Sequence, residues 1–499
     1  MTTPDRSQPP SSERVAALRA AVAEQLPQAL ADLAALVAIP GISADPSRSG
    51  DLSRSAEAVA ELFGGLGVGH VEVCSAAGGA PAVLARLPGP AGTRTVLLYA
   101  HHDVQPTGNR AAWTTDPFTA TERDGRLYGR GTADDKAGIA VHLAALRALL
   151  AVDGELPVGI SVFIEGEEES GSPSLEPFLS EYSDALAADV LVIADAANWQ
   201  VGTPALTTSL RGLVDCTVQV STLSHGVHSG MYGGPVPDAL SALCRLLASL
   251  HDTAGNVAIA GLVSDPGGGP GGELPPDFRV DAAGTAVSGL EPVPAEGPEL
   301  TESEFRAGAG LLDDVQLIGD GSITERLWSR PAVTVLGIDA TPADEAANVL
   351  TPSARAKVSL RIPPGQDPAD AMRALSDHLL LHAPWGARVI VEPGGLGQAW
   401  AAEAAGADSG GAEPGGAVLT AAQTAFSQAF GTQALLIGSG GSIPLVAAYT
   451  TRYPEAEVVV TAVEDPATRA HSNDESLHLG DFGSAVLGHV LLLDALGQV

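Results

Sequence analysis

Apolar residues recur at helical spacing over residues 15–37, interrupted only at Pro27, and again over 55–63. Two apolar runs follow, 82–87 and 95–100, and both predict buried strands. An Ala/Leu-rich helix is expected over 137–150, then apolar strands over 158–164 and 190–194. Strands alternating with helices predict an α/β domain with a mostly parallel sheet, because parallel neighbours need a crossover and a helix supplies it. Functional side chains then gather at the carboxyl ends of the strands. The pattern changes near Ser209. Residues 213–220 and 354–362 alternate as half-exposed strands do, with a helix expected over 237–250 between them. Residues 261–302, rich in Gly, Pro and acids, predict a long excursion, and 401–416 a second loop before a helix at 417–430. An apolar strand over 456–463 and a helix over 482–496 close the chain. A smaller α+β domain inserted into the larger α/β domain, with both chain ends in the larger one, accounts for this order.

Composition narrows the function classes. The 499 residues are 45% hydrophobic, enough for a sizeable core. Sixty acids against 26 bases leave a formal net charge of −34. Phosphate backbones need clustered Lys and Arg, so this charge argues against nucleic-acid binding; the only lysines are Lys136 and Lys357. Cys74, Cys216 and Cys244 are odd in number and form no CxxC pair, which argues against a disulfide framework or thiolate zinc site. Residues 1–14 are polar and predict a loose tail rather than a secretory signal. No uninterrupted apolar run is long enough to span a bilayer. A soluble cytoplasmic protein without a membrane partner is expected.

Several clusters of His, Asp and Glu sit where such a domain places its chemistry. His101-His102-Asp103 ends the strand at 95–100. Alternation along a strand turns His101 and Asp103 one way and His102 the other, so Asp103 can orient the His101 ring. Tyr128-Gly129-Arg130-Gly131-Thr132-Ala133-Asp134-Asp135-Lys136 runs into the helix at 137. It fails as a dinucleotide loop, since Asp134 holds the third glycine position and would repel a pyrophosphate. Helix capping explains one aspartate there but explains two less completely. Glu165-Gly166-Glu167-Glu168-Glu169 follows the strand at 158–164, Asp195 ends the strand at 190–194, and His471 follows the strand at 456–463. Each alone is explained by a solvated loop or strand end; together they point to a cation site. Imidazole and carboxylate donors without thiolate suit Zn²⁺, Mn²⁺ or Co²⁺. Two histidines and three carboxylates exceed one open catalytic zinc and suit a metal pair sharing a bridging carboxylate, about 3.5–4 Å apart.

These segments resemble the carnosinase-like metallopeptidases, a family that includes aminoacylases, succinyl-diaminopimelate desuccinylase and glutamate carboxypeptidase. The resemblance begins at Val37-Ala38-Ile39-Pro40 and runs through every cluster in order. Asp103-Val104-Gln105-Pro106, Glu168-Glu169-Ser170-Gly171-Ser172, His228-Ser229-Gly230 and Gly440-Gly441-Ser442-Ile443-Pro444 are most similar to its dipeptidase branch. Ala100 and His102 stand where relatives often have Gly and Tyr, and Asn348-Val349-Leu350-Thr351-Pro352 where they have Asn-Val-Ile-Pro.

The resemblance implies two divalent ions per subunit, zinc foremost, with Asp134 bridging them. His101 and Asp195 would hold one ion, Glu169 and His471 the other. Asp103 would sit behind His101, Glu168 would be the general base, and the peptide between Asp134 and Asp135 would be cis. Ser209-Leu210-Arg211-Gly212 would open a lid and dimerisation domain. Within it, His228 would reach the partner subunit's active site and stabilise an oxyanion. Arg361 would grip the substrate's terminal carboxylate, with Asn348 and Ser442 in the same pocket. The expected domains are then a tail at 1–14, a catalytic domain at 15–208 and 397–499, and a lid at 209–396 carrying the 261–302 insertion. The implied activity is hydrolysis of small peptides by a homodimeric dipeptidase, the alternative being an N-acyl amino acid deacylase or carboxypeptidase on the same site. A serine hydrolase is disfavoured because no G-x-S-x-G elbow stands in the expected place.

Overall fold

The computed structural model describes residues 12–262, 298–402 and 416–498, with backbone alone at Phe278–Val280 and Ala286–Ser288. The tail up to residue 11 and most of the 261–302 and 401–416 segments lie outside the described residues. The chain divides into two compact units, Met1–Thr208 with Gly411–Ile437 and Pro444–Val499, and Ser209–Gly410 with Gly438–Ile443.

In the larger unit the sheet runs His70–Cys74, Ala82–Leu87, Gly159–Glu165, Thr95–His101, Val190–Ile193, Glu457–Val460, then Ala205–Leu210. Its centre is parallel, from Gly159–Glu165 through Glu457–Val460. Its flanks are antiparallel, which makes the whole sheet mixed. The central strands are buried on both faces, as parallel strands covered by helices must be. Val96, Leu98 and Ala100 join the core built by helices Ser12–Val37, Lys136–Asp153, Gly416–Phe430 and Leu479–Leu496. On the other face Phe163 stacks on Phe178 at 4.8 Å between ring centroids.

The first helix begins at Ser12, three residues before the apolar spacing starts. Arg14 secures that turn by pairing with Asp153 and Asp494, each 2.6 Å away, at the ends of two neighbouring helices. The strand expected over 456–463 is shorter, Glu457–Val460. Past it the chain leaves the ladder, and Val463 and Glu464 donate their N–H groups to Ala196 O. Helix Leu479–Leu496 is long and apolar enough to cross a membrane by length and composition, but 72% of it is buried inside the fold.

The smaller unit has an antiparallel sheet in the order Ala332–Asp339, Ser353–Ile362, Gly212–Ser221, Arg388–Gly397. Gly212–Ser221 alternates strictly between buried and half-buried positions. Its buried face meets helices Ala239–Ala248 and Pro368–Leu381, which complete a second core.

Candidate metal centre

Register at the sheet centre explains why distant acids meet. Tyr99 lies level with Ile193, and His101 with Glu165. Asp195, two residues past Ile193, and Glu168–Glu169, just past Glu165, therefore emerge at the same edge as His101. The aspartate pair arrives at the N-terminus of helix Lys136–Asp153, joined by a cis peptide. The two carboxylates divide their tasks. Asp135 caps the helix, accepting from Gly138 N at 3.2 Å, and its other oxygen accepts from His101 N at 3.2 Å. Asp134 is left to face the histidines.

Asp134 stands between the two imidazoles. Its Oδ1 is 3.1 Å from His101 Nε2 and its Oδ2 is 2.9 Å from His471 Nε2. Asp195 lies 3.9 Å from His101 Nε2, and Glu169 lies 3.3 Å from His471 Nε2. Two donor groups result, His101–Asp135–Asp195 and Asp134–Glu169–His471, each with its ligand atoms within 4.8 Å of one another. Behind the first, His101 Nδ1 lies 3.1 Å from Asp103 O and 3.3 Å from Asp103 Oδ1. Asp103 also accepts from the N–H groups of Glu168 and Glu169, so one carboxylate orients the ring and the acidic turn. His102 turns away to Pro81 O at 2.8 Å, and burial lowers its pKa to about 4. Glu169 is held by Gln105 N and Nε2, at 3.0 and 2.8 Å. Glu167 anchors the turn from below through Ala80 N and Ser174 N.

The electrostatics are those of a carboxylate-rich pocket. Burial raises the Asp134 pKa, but its bonds to His101 and His471 win and hold it below the usual range. Bonds to Asp134 and Glu169 raise His471 to about 11. Burial, then repulsion from neighbouring acids, lifts Asp195 well above an ordinary carboxyl. Burial likewise lifts Glu168 to about 8, with Glu169, Glu165 and Asp103 adding to it. Glu464, not singled out by the sequence reading, is raised by burial and by the charges of Asp134 and Asp195. The signal was available: Glu464 immediately follows the strand expected over 456–463, the rule that picked out Asp195.

Two smaller groupings lie in the other unit. Arg361 Nη1 donates to Ser442 Oγ at 3.0 Å. Arg211, buried nearby, donates to the carbonyls of Gly440, Arg326 and Arg330, and burial followed by the charge of Arg361 lowers its pKa to about 10. His228 and Asn348 come together because Val227–His228 pairs with Val349–Leu350, and Ser229 N donates to Asn348 O at 2.9 Å. The His228 side chain is exposed, and its Nδ1 accepts from Gly230 N, which puts the ring proton of neutral imidazole on Nε2.

The donor set fits divalent metal. It joins two imidazoles to several carboxylates, and among the described residues no lysine or arginine forms an ion pair with Asp134, Asp195 or Glu169. Desolvated carboxylates packed this closely beside imidazoles favour a bound cation.

Comparison with known proteins agrees. The cysteinylglycine-S-conjugate dipeptidase of Corynebacterium striatum is 36% identical over 387 residues, 77% of each chain. The human Beta-Ala-His dipeptidase is 27% identical over 403 residues, 80% of this chain and 74% of that one. Human carnosine dipeptidase 1 shares the fold, with a TM-score of 0.78, 24% identity, and 99% of this chain and 100% of that one covered. Residues 97–494 match the profile of Peptidase family M20/M25/M40, and the chain belongs to that family.

Proposed function

We propose that the chain is a dinuclear metallodipeptidase that hydrolyses the amide bond of dipeptides, with Glu168 as general base. One observation carries this reading: Asp134 spans the two histidines, an oxygen 3.1 Å from His101 and the other 2.9 Å from His471. The names of its relatives, dipeptidases in both cases, support the substrate class.

His101, Asp134 and Asp195 would hold one ion, and Asp134, Glu169 and His471 the other. Zinc suits these donors best, with Mn²⁺ or Co²⁺ as substitutes. Bound ions of this kind acidify water and polarise the scissile carbonyl. Asp103 keeps the His101 ring turned so that Nε2 faces Asp134. Glu168 takes the proton of the attacking water as the carbon–oxygen bond forms. It returns that proton to the departing amine as the carbon–nitrogen bond breaks. The smaller unit acts as lid and dimerisation domain of a homodimer. Arg361, with Ser442 and Asn348, receives the terminal carboxylate, and His228 donates a hydrogen bond from Nε2–H to the developing oxyanion of a partner subunit. The enzyme works as a soluble cytoplasmic protein, with no nucleic-acid or membrane partner.

The test is chelation, add-back of Zn²⁺, Mn²⁺ or Co²⁺, and assay on dipeptides beside N-acyl amino acids and longer peptides. Metal-restored activity that favours dipeptides is expected. Faster turnover of N-acyl amino acids or of C-terminal residues from long peptides would replace dipeptidase by deacylase or carboxypeptidase.

A further inference from the structure

Arg130 and Glu475 are fully buried and joined at 2.6 Å, yet neither has a part in the chemistry above. Glu475 spends its carboxylate on the loop that carries Asp134. Oε2 accepts from Arg130 Nη1 and from Gly131 N at 3.1 Å; Oε1 accepts from Ala133 N at 3.0 Å and from Asp134 N at 3.2 Å. Its backbone O accepts from Gly129 N at 3.0 Å. The other end of the guanidinium reaches two more strands of chain. Arg130 Nη2 donates to Pro106 O at 3.2 Å, in the segment after Asp103, and to Ser472 O at 3.1 Å, beside His471. Gly131 is required here, since its φ is +82° and a Cβ would sit 2.7 Å from Val104 Cγ1. His471 itself has a φ of 61°, an unfavourable left-handed conformation that neighbouring contacts must hold.

We propose that the Arg130–Glu475 pair is a positioning clasp for the metal centre, fixing the spacing between Asp134 and His471. The proposal rests on the dinuclear reading. Metal bonds are short, about 2.0–2.2 Å for imidazole and carboxylate donors, so two ligands on separate loops hold an ion only when both loops are fixed. Glu475 fixes the Asp134 loop through successive N–H groups, and Arg130 joins that loop to the His471 turn. The ion held by Asp134, Glu169 and His471 depends on both loops. The ion held by His101, Asp134 and Asp195 shares Asp134 but takes its other two ligands from strand ends, so it depends on the clasp less.

Glu475→Gln keeps the shape but turns donors of its amide toward N–H groups and strands the Arg130 charge. Arg130→Lys keeps the charge but cannot span Glu475, Pro106 O and Ser472 O together. The experiment titrates zinc against a competing chelator on the full chain, with folding checked by circular dichroism. Asp32→Asn, which breaks the distant, partly buried pair with Arg147, serves as the stability control. Wild-type protein binding two zinc ions supports the underlying reading, and fewer than two overturns it whatever the variants do. With two bound, Glu475→Gln is expected to weaken the ion held by Glu169 and His471 by roughly 10–100-fold and the other by less. Arg130→Lys should give the same selective weakening in milder form, with turnover recovering at saturating zinc. Unchanged affinity at both sites in the two variants, or equal weakening in Asp32→Asn, overturns the clasp.

Discussion

Glu475 and Asp134 are buried carboxylates of one unit, linked by the bond from Asp134 N to Glu475 Oε1, and they are neutralised in different ways. Glu475 meets the guanidinium of Arg130 and a row of backbone N–H groups. Asp134 meets two imidazoles, with Asp195, Glu169 and Glu464 close by and, among the described residues, no lysine or arginine paired to it. Burying a charge is expensive unless it is paired: Glu475 is paired by a guanidinium with no other task, whereas Asp134 is paired by imidazoles that are themselves candidate metal donors. The two acids differ in the partner that neutralises them: an arginine that cannot bind metal, or imidazoles that can.

Chelation should abolish dipeptide hydrolysis. Adding zinc back should restore it and raise the melting temperature, since a ligand at 100 times its Kd stabilises by about 2.7 kcal/mol. A chelator-treated sample with full activity would contradict this. Next comes Glu168→Gln, which keeps the ligands and removes the base. Its kcat should fall about 10²–10⁴-fold while zinc content stays at the wild-type level. Wild-type kcat on the best substrate would remove Glu168 from that role.

Arg361 extends the comparison to the smaller unit, with the sign reversed. It bonds Ser442 and forms no ion pair among the described residues, so in the proposed function it is the group that takes the substrate's carboxylate. Hydrogen bonds to charged groups contribute about 1.5–3 kcal/mol, so Arg361→Ala should lower kcat/KM roughly 10–100-fold. The loss should disappear for a dipeptide amidated at its C-terminus. An equal loss on both substrates would argue against carboxylate recognition.

The smallest effect concerns imidazoles buried without acids. Burial, with mutual repulsion at His142, lowers His142 to about 3 and His489 to about 4, their rings 5.1 Å apart. Both are neutral in the fold, whereas the unfolded chain takes up protons below about pH 6.5. Their contribution to stability is therefore complete above that pH and is lost as pH falls toward 4 and below. His489→Gln should flatten the fall in melting temperature between pH 6.5 and 4. An unchanged slope would show that this pair does not set it.

Much of this was legible in the sequence because it rests on local rules. Alternation on one strand separates His101 from His102, and acids after apolar runs mark Glu168, Glu169 and Asp195. Other features depend on register and distance. Nothing local says that Glu475 meets Arg130, 345 positions away, or that Asp135 caps its helix while Asp134 faces the histidines. The strand Ala332–Asp339 escaped notice because it lies at a sheet edge with mostly exposed side chains, which blurs the alternation. Glu464 was legible and passed over.

The central claim is that Asp134 bridges two ions. Anomalous diffraction at the zinc edge, from crystals of the metal-loaded protein, tests it most directly. Two peaks about 3.5–4 Å apart are expected on either side of the Asp134 carboxylate, one beside His101 and Asp195 and the other beside Glu169 and His471. A single peak, or none in contact with Asp134, would contradict the account.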